Sequence, residues 1–250
     1  MLTKLAVLID VGKGEPVERI LRSLEEFREH RNLEFMELWV GDTHDIGPGA
    51  RKMLKRVKAM DMGVPLTLFA GNPLQVSRSP DKLMNPNVIN TSKTMFRILL
   101  KSGKLYYWFF KKFCSLFSLS QPEDVRYGYY VLHSDSSIGR KVGALTLPDD
   151  DAMALIKKKW KKYWKAFYIE AGSGSKVPVS DKIELLKKIR ELTREKNLVM
   201  IVGGGLRKTE HIRFLVDLDV DIIVVSTVLE ESEEPGKIIE EFLNIVASSK

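Results

Sequence analysis

Residues 198–227 have the sequence LVMIVGGGLRKTEHIRFLVDLDVDIIVVST, and this stretch decides the fold. Its two short apolar runs, Leu198–Val202 and Asp221–Val225, are typical of buried strands. A helical pattern over Thr209–Leu218 lies between the runs, and Gly203–Gly205 separate the first run from that helix. A strand–helix–strand unit of this kind predicts two neighbouring parallel strands.

The same alternation continues through the rest of the 250-residue chain. Six further apolar runs predict strands at Leu5–Ile9, Phe35–Val40, Pro65–Phe69, Asn87–Asn90, Tyr127–Leu132 and Phe167–Glu170. Helical spacing predicts helices at Pro16–Glu29, Gly49–Met60, Thr91 to about Leu119, Asp149–Lys165, Ser180–Glu195 and Pro235–Ala247. Eight strands that alternate with helices predict one (β/α)8 barrel domain over residues 1–250, and a doubly wound open sheet is the alternative.

Composition and charge restrict the class of protein. The chain is 44% hydrophobic and 29% charged, as in globular proteins, and its one cysteine, Cys114, cannot form an internal disulfide. The net charge of +7 indicates either general solubility or an anionic partner such as a phosphate, a membrane surface or a nucleic acid. Met1–Asp10 has no signal-peptide pattern, and Leu105–Leu119 is shorter than a bilayer span, so a soluble cytoplasmic protein is predicted.

Glycines and hydroxyls follow the last two predicted strands. In a (β/α)8 barrel the chemistry lies at the carboxyl ends of the strands, and a phosphate site often follows strands seven and eight. Gly203–Gly205 let backbone N–H groups approach an anion, and Ser226 and Thr227 add further donors. The spacing therefore predicts a phosphate site there, and a tight turn without a ligand is the alternative.

A carboxylate follows the sixth predicted strand, within the sequence YIEAGSG at residues 168–174. Strand alternation places Tyr168 and Glu170 on one face, with Ile169 and Ala171 on the other. A carboxylate at a strand's carboxyl end, followed by a flexible loop, suits acid–base chemistry. Glu170 is therefore a candidate general base, and a structural carboxylate that accepts bonds from loop N–H groups is the alternative.

Two polar residues follow the first two predicted strands. Asp10 ends the first strand and Thr43 follows the second. A carboxylate and a hydroxyl on adjacent strands can hold Mg²⁺ when substrate phosphates complete its shell, whereas a strand-terminal aspartate is equally common as a cap. The four histidines have no metal-ligand spacing, and neither a zinc site nor a hydrolytic triad is predicted.

Two segments combine aromatic residues with lysine. In KKKWKKYWKAF, residues 157–167, the aromatic residues recur at helical spacing. This pattern predicts a barrel helix facing the sheet, or a contact with an anionic membrane or nucleic acid. The second segment, LYYWFFKKFCSLFSL at 105–119, predicts either core packing or a groove for a long hydrocarbon chain.

Several of these segments together resemble the geranylgeranylglyceryl phosphate synthase family. The matching sequences are LID at 8–10, FAGNPLQVS at 69–77, YIEAGSG at 168–174, IVGGGLR at 201–207 and DIIVVST at 221–227. The resemblance implies a (β/α)8 barrel that is modified around the third and fourth βα units. It also implies a prenyltransferase that joins the C3 hydroxyl of sn-glycerol 1-phosphate to geranylgeranyl diphosphate, with Mg²⁺ as cofactor, and makes the first ether bond of archaeal membrane lipids.

The resemblance also assigns roles by position. It implies that Asp10 and Thr43 bind Mg²⁺ and that Glu170 is the catalytic base. It implies contacts with glycerol phosphate from Tyr168, Ile169, Glu170, Ala171, Gly172, Ser173, Gly174, Gly203, Gly204, Gly205, Ser226 and Thr227. A homo-oligomer and a peripheral membrane contact are compatible with this interpretation, and nucleic acid is not an expected partner.

Four departures mark a divergent member. The family's Asp-Pro-Asp-Lys is Asp10–Lys13 here (DVGK), and its Phe-Pro-Gly is Phe69–Gly71 (FAG). A Ser-Pro-Gly-Ser-like run becomes His133–Ser136 (HSDS), and the Gly-Thr or Gly-Asn pair after strand eight becomes Ser226–Thr227. These differences leave three alternatives: a prenyl diphosphate of another length, a phosphosugar substrate, or a phosphate-binding barrel without catalysis.

Overall fold

Eight parallel strands in chain order form a closed barrel in the computed structural model, which describes residues 2–41, 49–69, 75–93, 108–172 and 179–248. The strands are β1 (Lys4–Asp10), β2 (Met36–Gly41), β3 (Leu66–Phe69), β4 (Lys82–Val88), β5 (Glu123–Val131), β6 (Ala166–Glu170), β7 (Val199–Gly203) and β8 (Ile222–Val225). Pairing of β8 with β1 closes the ring. The predicted (β/α)8 barrel is confirmed, and the open sheet is wrong.

Helices cover the outside of the barrel. They are α1 (Glu15–Glu26), α2 (Gly49–Ala59), α3 (residues 108–116), α4 (Ser137–Val142), α5 (Asp149–Lys159), α6 (Ile183–Glu195), α7 (Thr209–Asp217), α8 (Thr227–Glu230) and α9 (Pro235–Ala247). Each longer helix buries one apolar stripe; in α1 the stripe is Val17, Ile20, Leu21 and Leu24. The short helices α4 and α8 were not predicted, because they span too few residues for a periodic pattern. No helix among the described residues has the length and apolarity needed to cross a bilayer.

The fourth strand lies earlier than predicted. It covers Lys82–Val88 and pairs along its whole length with β5, whereas the sequence pattern favoured Asn87–Asn90. Its sequence, KLMNPNV, contains two asparagines and a proline, which obscure the apolar alternation. Between β3 and β4 the described residues 75–81 contain no α-helix, which agrees with a barrel modified around its third βα unit.

The predicted helix over Asp149–Lys165 ends at Lys159, and residues 160–165 form a loop that leads into β6. Its aromatic residues therefore do not share one helix face, which corrects the prediction. Trp164 packs in the core against Phe167, which lies in β6, while Tyr163 stays 45% exposed. The apparent helical spacing is therefore produced by a loop that leads into a strand.

The predicted helix from Thr91 to about Leu119 is only partly accounted for. Thr91 forms an isolated bridge with Ala144, α3 covers residues 108–116, and residues 94–107 lie outside the described part of the chain. Several aromatic side chains of α3 are exposed, so core packing does not explain this segment.

Aromatic rings fill the inside of the barrel. Trp39, Phe69, Tyr127, Tyr129 and Tyr168 point inward from four strands and contact one another, with ring centroids 5.0 Å apart for Tyr129 and Tyr168. Residues at alternate positions of the same strands join the outer core beneath the helices. The barrel is therefore packed along its axis, as is usual for this fold, and its carboxyl end has an aromatic floor.

Candidate active site

A small cleft lies at the carboxyl ends of β6, β7 and β8. Its volume is ≈ 50 Å³, several times what one water molecule needs. The lining residues come from three strands, β1, β6 and β8, and from the segments that follow β7 and β8: Leu8, Tyr168, Glu170, Gly204, Gly205, Leu206, Val224, Val225, Ser226 and Thr227. The fold thus brings together the three sequence segments predicted to form a site.

Glu170 ends β6 and lies at the base of this cleft, with 6% of its surface exposed. The phenol of Tyr129 donates a hydrogen bond to its Oε2 atom at 3.2 Å. Burial, and next the negative charge of Glu170, raise the pKa values of Tyr127, Tyr129 and Tyr168 well above the usual value. The aromatic floor beneath the carboxylate is therefore made of neutral phenols at physiological pH.

The glycine turn passes directly over the carboxylate. A Cβ on Gly204 would lie 1.8 Å from Oε1 of Glu170, and a Cβ on Gly203 would lie 2.3 Å from the phenol oxygen of Tyr168. Gly204 and Gly205 also adopt φ values of +85° and +69°, which favour glycine. Close approach to Glu170 and Tyr168 therefore requires glycine here, and the backbone of the turn forms one wall of the cleft.

The hydroxyl of Ser226, predicted to bind phosphate, contacts a carboxylate instead. Its Oγ donates to Oε1 of Glu230 at 2.6 Å, and the other oxygen of Glu230 lies 3.7 Å from Nζ of Lys13. Thr227 begins α8 and lines the cleft beside it. The serine that replaces the family's glycine is thus engaged by a carboxylate four residues later, a contact that sequence reasoning missed because α8 was not predicted.

The remaining residues predicted to bind glycerol phosphate or Mg²⁺ do not line this cleft with their side chains, or lie outside the described residues. The side chains of Ile169 and Ala171 pack in the outer core, so the backbone is the part of each that can face the cleft. The carbonyl oxygen of Gly172 would lie 2.7 Å from a Cβ on Gly205, which places this glycine against the turn. Thr43, Ser173 and Gly174 lie outside the described residues.

Asp10 ends β1 opposite Gly41 of β2, and its Oδ1 accepts a long hydrogen bond of 3.4 Å from the backbone of Gly12. Among the described residues, no three His, Cys, Asp or Glu side chains cluster in a way that could hold a metal ion. Mg²⁺ is commonly held by one or two carboxylates together with substrate phosphates. Among the described residues, Asp10 therefore fits Mg²⁺ only in that form, with substrate oxygens completing the shell of the metal.

Two further residues, at or just after the carboxyl end of β5, were not among the predicted site residues. Tyr129 could have been found by alternation, since it lies at an inward position of β5 two residues before the strand ends. His133 follows β5, is buried, and has an Nε2 atom without a hydrogen-bond partner among the described residues. Burial lowers its pKa, so the ring is neutral at pH 7. The divergent run around it forms a helix cap, because Oγ of Ser136 accepts from the backbone N–H of Gly139 at 3.0 Å.

Fold and site together define a (β/α)8-barrel protein with a glycine-walled cleft and a buried carboxylate at its carboxyl end. The PcrB family model matches residues 42–246 of this chain. The chain belongs to the PcrB family.

Individual relatives agree with this membership. The geranylgeranylglyceryl phosphate synthase of Thermoplasma acidophilum is 29% identical over 232 residues, which cover 90% of this chain and 83% of that protein. The synthase of Korarchaeum cryptofilum is 27% identical over 237 residues, covering 93% and 89%. The Thermoplasma acidophilum enzyme, crystallised with its substrate sn-glycerol-1-phosphate, superimposes with a TM-score of 0.74 at 22% identity, covering 98% of this chain and 94% of that one. The family resemblance predicted from sequence is confirmed.

Proposed function

We propose that this protein is a prenyltransferase that joins the C3 hydroxyl of sn-glycerol 1-phosphate to C1 of geranylgeranyl diphosphate and releases diphosphate. The observation that carries the proposal is the position of Glu170, which lies at the base of a cleft walled by a glycine turn. The names of the curated relatives support it, as does the sn-glycerol-1-phosphate bound to the Thermoplasma acidophilum enzyme.

The cleft suits the phosphate of glycerol phosphate. Gly204 and Gly205 contribute backbone without side chains, and Ser226 and Thr227 line the facing wall. Because the hydroxyl of Ser226 is bonded to Glu230, we assign phosphate binding to backbone N–H groups and to the hydroxyl of Thr227. This assignment agrees with the common position of phosphate sites in such barrels.

Glu170 takes the proton in the proposed reaction. The C3 oxygen of glycerol phosphate forms a bond to C1 of the prenyl chain while the bond from C1 to the diphosphate oxygen breaks. The electron pair of the broken bond leaves with diphosphate, and the hydroxyl proton passes to the carboxylate of Glu170. Tyr129 orients that carboxylate through its bond to Oε2, and the aromatic floor excludes water from below.

Asp10 is the described residue that we assign to Mg²⁺, with Thr43 as its proposed partner. The metal supplies charge neutralisation for the diphosphate leaving group when it is bound. We also propose a cytoplasmic location and a homo-oligomeric state, in agreement with the sequence-based expectations. We also propose that the preferred prenyl donor is the C20 diphosphate.

The test is a reaction of the purified protein with sn-glycerol 1-phosphate, geranylgeranyl diphosphate and Mg²⁺, with product measured by mass spectrometry. We expect ether product that disappears with EDTA and in Glu170→Gln. Donors of shorter and longer chain length, tested in parallel, define the prenyl preference. Absence of product with every donor, while the protein still binds glycerol phosphate, would reject the proposal in favour of a binding-only barrel.

A further inference from the structure

Helix α3 presents large apolar side chains to solvent. Phe109, Phe113 and Leu116 form a stripe along its outer side, which Phe117 extends in the turn after the helix, and with Trp108 these side chains are 48–79% exposed. The opposite side of the helix is anchored by Cys114, which is fully buried. Exposed apolar patches that are contiguous and surrounded by polar groups usually mark an interaction surface.

A cleft of ≈ 500 Å³ joins this helix to the loop before β6. Trp108, Lys111 and Lys112 line it from α3, and Tyr163 lines it from the loop, with Arg126 of β5 between them. The two aromatic and basic segments of the sequence, which are about fifty residues apart, therefore meet on one surface. Neither segment contributes to the cleft that holds Glu170.

The charge around the stripe is predominantly positive. Lys111 and Lys112 lie on α3, and the exposed Lys161 and Lys162 precede Tyr163 across the cleft. Acidic groups occur at one edge, where Asp124 pairs with Arg126 at 3.0 Å. The surface thus combines exposed aromatic rings with a cationic border.

We propose that α3 and the loop before β6 form a docking surface for an anionic lipid bilayer. Its members are Trp108, Phe109, Lys111, Lys112, Phe113, Leu116, Phe117, Lys161, Lys162 and Tyr163. Aromatic and aliphatic side chains enter the interfacial region of a bilayer, and adjacent lysines pair with anionic headgroups.

Charge selects the bilayer over other occupants. A second copy of this chain would bring the same lysines against one another, which disfavours a symmetric contact. A hydrocarbon chain in the cleft would remove the ammonium groups of Lys111 and Lys112 from water, which is costly. An anionic membrane can accept the exposed aromatic rings in its interfacial region and can pair its headgroups with the lysines.

Membrane docking would also help the proposed reaction, although the docking proposal does not require that this reaction takes place. A C20 isoprenoid diphosphate partitions into bilayers through its hydrocarbon chain. A protein held on the membrane by α3 would meet its donor at high local concentration. Membrane binding and turnover are separate measurements, so failure of either proposal can be recognised by itself.

The test is cosedimentation of the full chain with vesicles of phosphatidylcholine alone or mixed with phosphatidylglycerol. We expect binding to the mixed vesicles that weakens as salt rises. Lys111→Gln combined with Lys112→Gln should weaken binding roughly 25-fold, since each lysine near an anionic surface contributes about fivefold. Phe113→Ser combined with Leu116→Ser and Phe117→Ser should reduce binding at every salt concentration.

Leu2→Ser is the matched control, because Leu2 is an exposed apolar side chain outside the docking surface. It should leave vesicle binding unchanged. All variants should keep the thermal midpoint of the wild type and their turnover of donor presented in detergent micelles. The proposal is overturned if the wild type does not bind mixed vesicles, if both sets of variants bind as well as Leu2→Ser, or if the serine variants only convert an oligomer to a monomer.

Discussion

Two buried carboxylates lie inside the same barrel, one at each end. Glu37 on β2 is 2% exposed, and Glu170 on β6 is 6% exposed. At the amino end, Glu37 contacts Nζ of Lys82 at 3.0 Å and Nζ of Lys4 at 3.7 Å. At the carboxyl end, Glu170 accepts a bond from a neutral phenol and faces a glycine turn and a cleft.

The difference shows how environment assigns a role to one residue type. Two ammonium groups pair with Glu37, and the indole N–H of Trp39 donates a hydrogen bond to it, so its position is fixed from three sides. A neutral hydrogen-bond donor orients a carboxylate with less loss of basicity than a cation causes. Glu37 at the amino end of the barrel therefore has a structural role, and Glu170 at the carboxyl end is available for chemistry, as is general for this fold. Each prediction that follows tests this division.

The largest expected effect is on turnover in Glu170→Gln. The amide keeps the shape of the side chain but cannot accept the hydroxyl proton, so kcat should fall about 10²- to 10⁴-fold. The KM for glycerol phosphate should change far less, because the phosphate contacts do not involve this group. Steady-state kinetics measure both quantities. Wild-type turnover in this variant would remove Glu170 from the mechanism.

Gly204→Ala comes next. Its new methyl group would overlap Oε1 of Glu170, so the turn or the carboxylate must move. We expect a loss of about 2–4 kcal/mol in stability and at least a tenfold loss in kcat/KM. The control is Gly63→Ala, since Gly63 has φ +68° but nothing within 4 Å of its Cβ position, and about 1–2 kcal/mol of backbone strain is expected. Equal losses of kcat/KM in the two variants would contradict the close approach at Gly204.

Glu37→Gln should affect stability and leave catalysis unchanged. The variant leaves two lysines without their carboxylate, but those side chains are about a third exposed, so we expect about 2–3 kcal/mol. For a chain of this size that loss corresponds to a fall of roughly 5–10 °C in the thermal midpoint. Calorimetry measures the shift, and kcat measured well below the midpoint should match the wild type. A large loss of kcat would break the contrast between the two ends.

The sequence predicted the parts of the fold that repeat a simple period. The two apolar runs predicted strands β7 and β8 correctly, because strands that are buried on both faces are continuously apolar. The turn after β7 was correctly predicted from Gly203–Gly205. The fourth strand was misplaced because Pro86 and its asparagines interrupt the pattern, and Trp160–Lys165 were assigned to a helix because a loop and a strand mimicked helical spacing.

The candidate site was predictable only in part. Strand alternation predicted that Tyr168 and Glu170 share one face, because side chains in a strand repeat every two residues. The structure shows that this face is the inside of the barrel. The bond from Tyr129 and the contact between Ser226 and Glu230 depend on neighbouring strands and on a four-residue helix, and a linear pattern contains neither. The sequence also did not predict that aromatic side chains of α3 are exposed, since periodicity does not indicate which side of a helix is covered.

The smallest effect concerns the phenols beneath Glu170 at alkaline pH. Burial, and next the charge of Glu170, raise the pKa of Tyr129 above its usual value of 10.0, so the folded state keeps a proton that the unfolded state loses. The stability from this group is complete below pH 10 and falls as pH rises beyond it, by up to about 1.4 kcal/mol per pH unit. Tyr129→Phe lacks the titrating hydroxyl, so its free energy of unfolding should fall less steeply above pH 10 than that of the wild type. Urea unfolding at a series of pH values measures the two slopes; parallel slopes would mean that Tyr129 ionises equally in both states and does not provide a neutral floor for the carboxylate.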